Sequence, residues 1–415
     1  MVNVDTGGAT AVDAEHVYIR NGRNLTAFDR RTGVEVWSSA VYANNGLTAP
    51  SIMDGVVYIG KRSGIPLSFQ NDVDYPHIIG VDALSGRILL NRLISWNTQF
   101  GNRPVVSGGD LIAPTQSGGL IAYAVSPFDL NQLQHQWEIY GAFYDDANPV
   151  VDDDFVYAYN SQIYDRANGA RSEFVHPQGH VAIQPIISSS GSIIYSGYYS
   201  VLSSTPEISL YETRYEVMAI DGDTPQMKWS YALPAGYSEP SAKAAGNGVV
   251  AVISGPTLFL LNEVTGSLIH AWDVSPTITP QQLIPRQLIL TNNTAFVKTN
   301  VGGSYQVEAI DLETGKVVWK YREPDRSYLY PSGDIALSGN LLVISDENSI
   351  RTFRVPNHAP VARAGADRTA VENSSVSFDG FASSDPDGQS LTYEWYFGDG
   401  TTTTGATPSH TFRDN

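Results

Sequence analysis

The chain has 415 residues, 42% of them apolar and only 16% charged, so it can bury one large core and a smaller one. It contains no cysteine, which excludes disulfides, thiol nucleophiles and cysteine-ligated metals. Its formal net charge is −18 with no Lys/Arg cluster, which argues against nucleic acid and anionic membranes, because phosphate contacts need a positive face.

The 37 glycines and 23 tyrosines give a β-rich, turn-rich composition of the kind found in secreted proteins. No apolar run reaches the length of about 18 residues that a spanning helix needs. The opening "MVNVDTGGAT" lacks the basic start and apolar stretch of a signal peptide, so an export signal is expected to have been removed. The expected location is secreted, cell-surface or periplasmic.

In chain order, one phrase recurs: "TAFDRRTGVEVW" (26–37), "IGVDALSGRILL" (79–90), "QIYDRANGARSEF" (162–174), "MAIDGDTPQMKW" (218–229), "FLLNEVTGSLIHAW" (259–272) and "EAIDLETGKVVW" (308–319). "IAYAVSPFDLNQLQHQW" (121–137) is a degenerate copy with a longer turn. The spacing of about forty to fifty-five residues is that of a four-stranded propeller blade. Upstream of the copies lie pairs of short apolar runs around a Gly/Asp turn, such as "PSIMDGVVYIG" (50–60) and "SAKAAGNGVVAVIS" (241–254), which read as hairpins. Hairpin plus phrase makes four strands. An eighth hairpin is followed only by "SIRTFRV" (349–355), and Val2–Asp5 is expected to supply its missing outer strand.

Within "AIDLETGKVVW" (309–319), Asp311 bonds its own turn, Gly315 takes a left-handed position, and Trp319 forms an apolar plate against the next blade. A single blade cannot bury both faces, so a closed ring of blades is expected. The phrase resembles the quinoprotein-type repeat, whose motif runs Ala-x-Asp-x-x-Thr-Gly-x-x-x-Trp. Ala309, Asp311, Thr314, Gly315 and Trp319 match it fully, and the first copy matches from Ala27 to Trp37. The resemblance implies an all-β fold, an eight-bladed β-propeller over residues 1–355.

After the Pro-rich hinge "RVPNHAP" (354–360) the composition shifts to Ser, Thr, Gly and Asp. The string Trp395-x-Phe397-Gly398-Asp399-Gly400 resembles the signature of a PKD domain, an immunoglobulin-like β-sandwich, over 356–415. Such a module normally has two further strands, so the domain is expected to be incomplete, with an exposed sheet edge.

Quinoprotein dehydrogenases hold pyrroloquinoline quinone and Ca²⁺ in the propeller centre, and the resemblance raises that chemistry here. Against it, Trp37, Trp137, Trp229, Trp272 and Trp319 are assigned to docking and Trp395 to the tail, leaving only Trp96 to stack on a quinone. The motif's Asp, Thr and Gly are read as shape, and no resident cofactor is expected.

In a propeller, the loops entering each blade and those between its second and third strands share one face. By that topology Trp96, Phe100, Tyr140, Phe143, Tyr144, Tyr198, Tyr199, Tyr237, Tyr328 and Tyr330, with Arg103, come to one side. Aromatic plates flanked by polar groups suit sugar rings or a protein partner, and the competing reading is that they pack the loops onto the rim. Two segments, 61–77 and 197–216, are read as long insertions on this face. Asp72, Asp74, Asp145 and Asp146 form a Ca²⁺ site if their loops meet. His176 and His180 sit four apart in a loop without a third zinc ligand, and "DDDF" (152–155) belongs to a turn on the opposite face. Asp385, Asp387 and Asp399 are either Ca²⁺ ligands or turn residues.

No nucleophile elbow, zinc-protease helix or phosphate loop is present. The expectation is a non-enzymatic scaffold binding a glycan or a protein, with the PKD module as spacer. The alternative is a polysaccharide lyase using Tyr144, His180 and Arg103.

Overall fold

The computed structural model describes residues 10–21, 24–41, 47–61, 77–94, 103–115, 119–125, 133–140, 149–158, 162–173, 181–188, 190–204, 209–274, 284–291, 293–301, 304–322, 333–338, 340–346, 350–355, 360–385 and 391–413. All regular elements among them are β-strands. Up to residue 322 they form seven antiparallel four-stranded sheets, each paired in plain sequence order. The first contains Thr10–Val12, His16–Asn21, Asn24–Asp29 and Glu35–Ala40. The eighth sheet has three described strands, Gly333–Ser338, Leu341–Asp346 and Ile350–Arg354. Each sheet's first strand lies beside the first strand of the next, and the eighth returns to the first, so the sheets are the blades of an eight-bladed β-propeller. Val2–Asp5 lies outside the described residues.

The core is divided among the seams between blades. Alternating apolar residues let one sheet bury both faces against two neighbours. Blade six, for example, turns Ala245, Val250, Val252 and Leu261 toward blade five, and Ala244, Ala251, Ile253 and Leu260 toward blade seven. The ring closes where Val17 and Ile19 of blade one meet Ala336 and Val343 of blade eight.

The repeated phrase builds a turn and a dock. Asp29 Oδ1 accepts from Arg31 N (3.0 Å), Thr32 N (2.7 Å) and Thr32 Oγ1 (2.7 Å), and Asp311 binds Thr314 N (2.7 Å) and Oγ1 (2.6 Å) in the same way. The next blade's turn then receives the tryptophan. Trp37 Nε1 donates to Ala83 O at 2.9 Å, Trp137 to Arg166 O at 2.7 Å and Trp229 to Glu263 O at 2.8 Å. Each of these indoles covers the glycine three residues further on: Gly86, Gly169 and Gly266. Trp272 turns its pyrrole edge to Gly315 instead and stacks on His270 at 4.7 Å. Among the described residues blade eight offers no such turn, and Trp319 packs on Phe353 (5.0 Å) and Tyr321 (6.3 Å). A cavity of about 530 Å³ opens beside it at the rim, lined also by Leu342 and Val355.

Third and fourth strands share a bulge at one position, between Ala27 and Phe28 and again between Ala309 and Ile310. It places Val36 and Val318 as the extra residues before the tryptophans, and both are exposed. A bulge bends and twists its strand locally, which re-aims the residue that follows.

Segment 197–216 departs from its expectation as an inserted loop. Strands Ile193–Ser204 and Ser209–Ile220 run through it without interruption, paired from Ile193↔Ile220 to Ser204↔Ser209. Its strands hold β-branched and aromatic residues, Tyr198, Tyr199 and Val201 in one and Thr213 and Tyr215 in the other, which favour a strand although they do not alternate strictly.

The PKD module contains two small sheets, Ser375–Ser377 with Ser409–Thr411 and Glu394–Tyr396 with Thr402–Thr404. Phe378 joins them, its ring 5.5 Å from Trp395 and 5.3 Å from Phe397. Trp395 Nε1 caps Gly405 O at 2.9 Å.

Candidate functional site

The predicted site residues Trp96, Phe100, Phe143, Tyr144, Tyr328, Tyr330, Asp72, Asp74, Asp145 and Asp146 lie outside the described residues, as do His176, His180 and Asp387. Arg103, Tyr140, Tyr198, Tyr199 and Tyr237 are described. Arg103 is half-buried at the entry to blade three. Tyr140 follows the fourth strand of blade three, its ring 73% exposed and its hydroxyl bonded to the Glu138 carboxylate.

Tyr237 is half-buried on the loop between blades five and six. Its ring meets Phe259 edge-on at 5.0 Å, and its hydroxyl lies 3.3 Å from Thr257 Oγ1, which donates to Asp273 Oδ1 at 2.9 Å. Packing of the loop onto blade six accounts for all these contacts. Tyr198 and Tyr199 are consecutive on one strand, so they occupy opposite faces of it. Tyr198 pairs with Tyr215 and is 37% exposed, while Tyr199 pairs with Arg214.

Around these residues the long hairpin of blade five dominates the face. Among the described residues, the first strand of that blade pairs with it as far as Tyr198 and the fourth as far as Glu216. Beyond them the hairpin runs on as a two-stranded ribbon of about six residue pairs, roughly 20 Å at about 3.3 Å per residue. Val201 is exposed on it, and Arg214 Nη2 binds Glu212 Oε2 at 2.8 Å.

The electrostatics of the ring are uneven. Residues 104–283, which form blades three to six, hold 18 acidic against 5 basic side chains. The other four blades, residues 1–103 and 284–355, hold 17 of each. The hairpin therefore stands in the half that carries the propeller's whole net charge.

Among the described residues no three His, Asp or Glu side chains converge as a metal site. Asp152 of "DDDF" accepts from Asp154 N (2.9 Å) and Phe155 N (2.7 Å), and Asp399 from Thr401 N (3.0 Å) and Oγ1 (2.6 Å), both as turn residues. A recurring tyrosine in the second strand, Tyr18, Tyr58, Tyr157 and Tyr195, escaped the sequence reading. These phenols are buried in the seams, and burial pushes Tyr58 up to about 12, so they are structural at neutral pH. Among the described residues, the motif carboxylates Asp29 and Asp311 close their own turns, and Trp37, Trp137 and Trp229 are spent on docking.

Solved structures with this arrangement include BamB from Moraxella catarrhalis, at 14% identity and TM-score 0.56, covering 85% of this chain and 97% of that one. Sqt1 from Saccharomyces cerevisiae matches at 8% identity and TM-score 0.57, covering 86% and 100%. Both show the fold alone. A quinohemoprotein alcohol dehydrogenase from Pseudomonas putida HK5 matches at 12% identity and TM-score 0.45, covering 73% and 62%, and supports no chemistry here. No curated protein sequence matches the chain. The PKD domain family matches residues 357–415, and the family described as outer membrane protein assembly factor BamB matches residues 2–231 and 213–355. The chain belongs to that BamB family through its propeller and carries a PKD domain after it.

Proposed function

We propose that this chain is a non-enzymatic docking scaffold of the periplasm or cell exterior, whose loop face takes a protein partner while the PKD module serves as a spacer. The observation that carries this reading is the ribbon of blade five, a backbone platform standing above a face that also bears the exposed Tyr140. Family membership agrees with a role in protein contact. No step through a quinone or a metal is derived. A second reading, glycan binding, is favoured by Tyr140 as an exposed aromatic plate. The lyase alternative has only Arg103 of its three residues among those described.

A photoreactive amino acid placed at Tyr140 tests the reading, with one at Lys316 on the opposite, turn-bearing face as reference. In intact cells the scaffold reading expects a discrete cross-linked protein from Tyr140 and none from Lys316. Equal labelling from both faces, or turnover of a uronate polymer by the purified protein, overturns it. A glycan array separates the second reading.

A further inference from the structure

The ribbon of blade five has a feature that the docking face as a whole does not require. Among the described residues, no strand pairs with it on either side beyond Tyr198 and Glu216. The orientation of its peptide groups follows from one bond: Leu233 N donates to Tyr215 O at 2.8 Å, so the peptide groups of Tyr215 face the fourth-strand side. Alternate residues of an antiparallel strand send N–H and C=O to the same side. Thr213, Tyr211 and Ser209 therefore turn theirs outward on that side. Glu212 and Arg214 turn theirs inward, to the pairs Val201↔Glu212 and Tyr199↔Arg214.

We infer that the outer edge of this ribbon, residues 209–214, binds an extended, net-basic segment of a partner protein by adding it as a strand. The inference rests on the docking reading and names the partner's chemistry. Strand addition supplies main-chain hydrogen bonds to an edge with which no described strand pairs. Basic character follows from charge. Residues 104–283, with 18 acidic against 5 basic side chains over both faces, form the blades around the ribbon, and on the edge itself exposed Glu212 is paired with Arg214. A field of one sign attracts the opposite charge and raises its association rate. The fourth strand leaves the blade at Leu233, so the position above it, alongside 209–214, is in line with the sheet and reached from the rim.

The test uses the whole chain and three ten-residue peptides: alternating Lys-Val, alternating Glu-Val, and Lys-Val with alternate backbone nitrogens methylated. The Lys-Val peptide is expected to bind at least tenfold tighter than Glu-Val, to weaken with added salt, and to slow amide exchange at Thr213 and Tyr211. The methylated peptide is expected to lose at least tenfold, since it keeps charge and side chains but lacks donors. Thr213→Pro removes an outward N–H without touching the hairpin's own ladder and is expected to weaken Lys-Val by a similar factor, while Thr213→Ala does not. Equal binding of the methylated and plain peptides overturns strand addition and needs no variant to fold. So does unchanged exchange at Thr213. If these arms fail while the Tyr140 cross-link persists, strand addition falls and docking stands; if both fail, the docking reading falls as well.

Discussion

Glu263 holds Trp229 with its backbone and the neighbouring blade with its side chain. Its carbonyl accepts the indole N–H at 2.8 Å, and its carboxylate accepts from Ser190 N and Gly248 N, each at 3.1 Å. One residue of the turn thus ties blade six to blade five twice.

That carboxylate sets a pH dependence. Burial alone would raise its pKa, but hydrogen bonds from Ser188, Ser190 and Gly248 together hold it below the ordinary value of 4.5. A depressed folded-state pKa contributes stability that is complete above the unfolded value and fades as pH falls through the folded one. Thermal unfolding between pH 7 and pH 3 is expected to show that loss, and Glu263→Gln to flatten it. At neutral pH the Gln variant is expected to cost about 1–3 kcal/mol, because its amide cannot accept on both sides.

The indole docks are separable from turn strain by two glycines. Gly266 has φ +68° and an added Cβ would lie 2.5 Å from Trp229, while Gly33 has φ +71° with nothing within 4 Å. Gly33→Ala is expected to cost about 1–2 kcal/mol for the left-handed backbone alone. Gly266→Ala must exceed it by the displacement of the indole, and denaturant unfolding of the two variants measures the difference. Equal losses would show that the indole does not bear on that turn.

Arg166 ties blades three and four on the turn face. It binds Asp110 Oδ2 at 2.7 Å through Nε and Asp152 O at 2.6 Å through Nη1, and it also reaches Ser107 O. Arg166→Met leaves Asp110 without its cation and is expected to cost about 3–5 kcal/mol. Asp110→Asn with Arg166→Met together should recover part of it, as read in a double-mutant cycle.

Tyr140 and Tyr237 are expected to answer differently. Tyr140→Ala should leave stability within about 0.5 kcal/mol, since the ring is 73% exposed, yet lower partner cross-linking. Tyr237→Phe should cost about 1 kcal/mol for its lost hydrogen bond to Thr257 and leave cross-linking unchanged.

In the PKD module, the Thr401 hydroxyl and N–H, with His410, hold Asp399 at about 2. Its contribution is expected to be complete above about pH 4 and to fade toward pH 2. Carboxyl NMR of the Asp399 side chain checks the midpoint, and Thr401→Val should move it upward.

The blade count was legible because Asp311, Gly315 and Trp319 are shape residues whose spacing is dictated by one turn. The bulge beside Ala309 was not, because an unpaired extra residue leaves no mark on an apolar alternation. The buried tyrosines Tyr18, Tyr58, Tyr157 and Tyr195 repeat in short hairpins that tolerate many neighbours, so only their common burial reveals them. Tyr140 follows the fourth strand of blade three and is exposed there. Topology could not tell that Tyr237 would be held down by Phe259, since that contact depends on a fold of six loop residues. The ribbon was hidden because residues 197–216 lack a strict apolar alternation, so two continuous strands read as an insertion.

The third strand of blade eight runs away from the loop face, and Val355 follows it with its N–H bonded to Asn340 O at 2.8 Å. The tail therefore departs from the back of the ring, on the side of the Asp-Thr-Gly turns. The point where the chain leaves blade eight and the ribbon of blade five therefore lie on opposite faces of the ring.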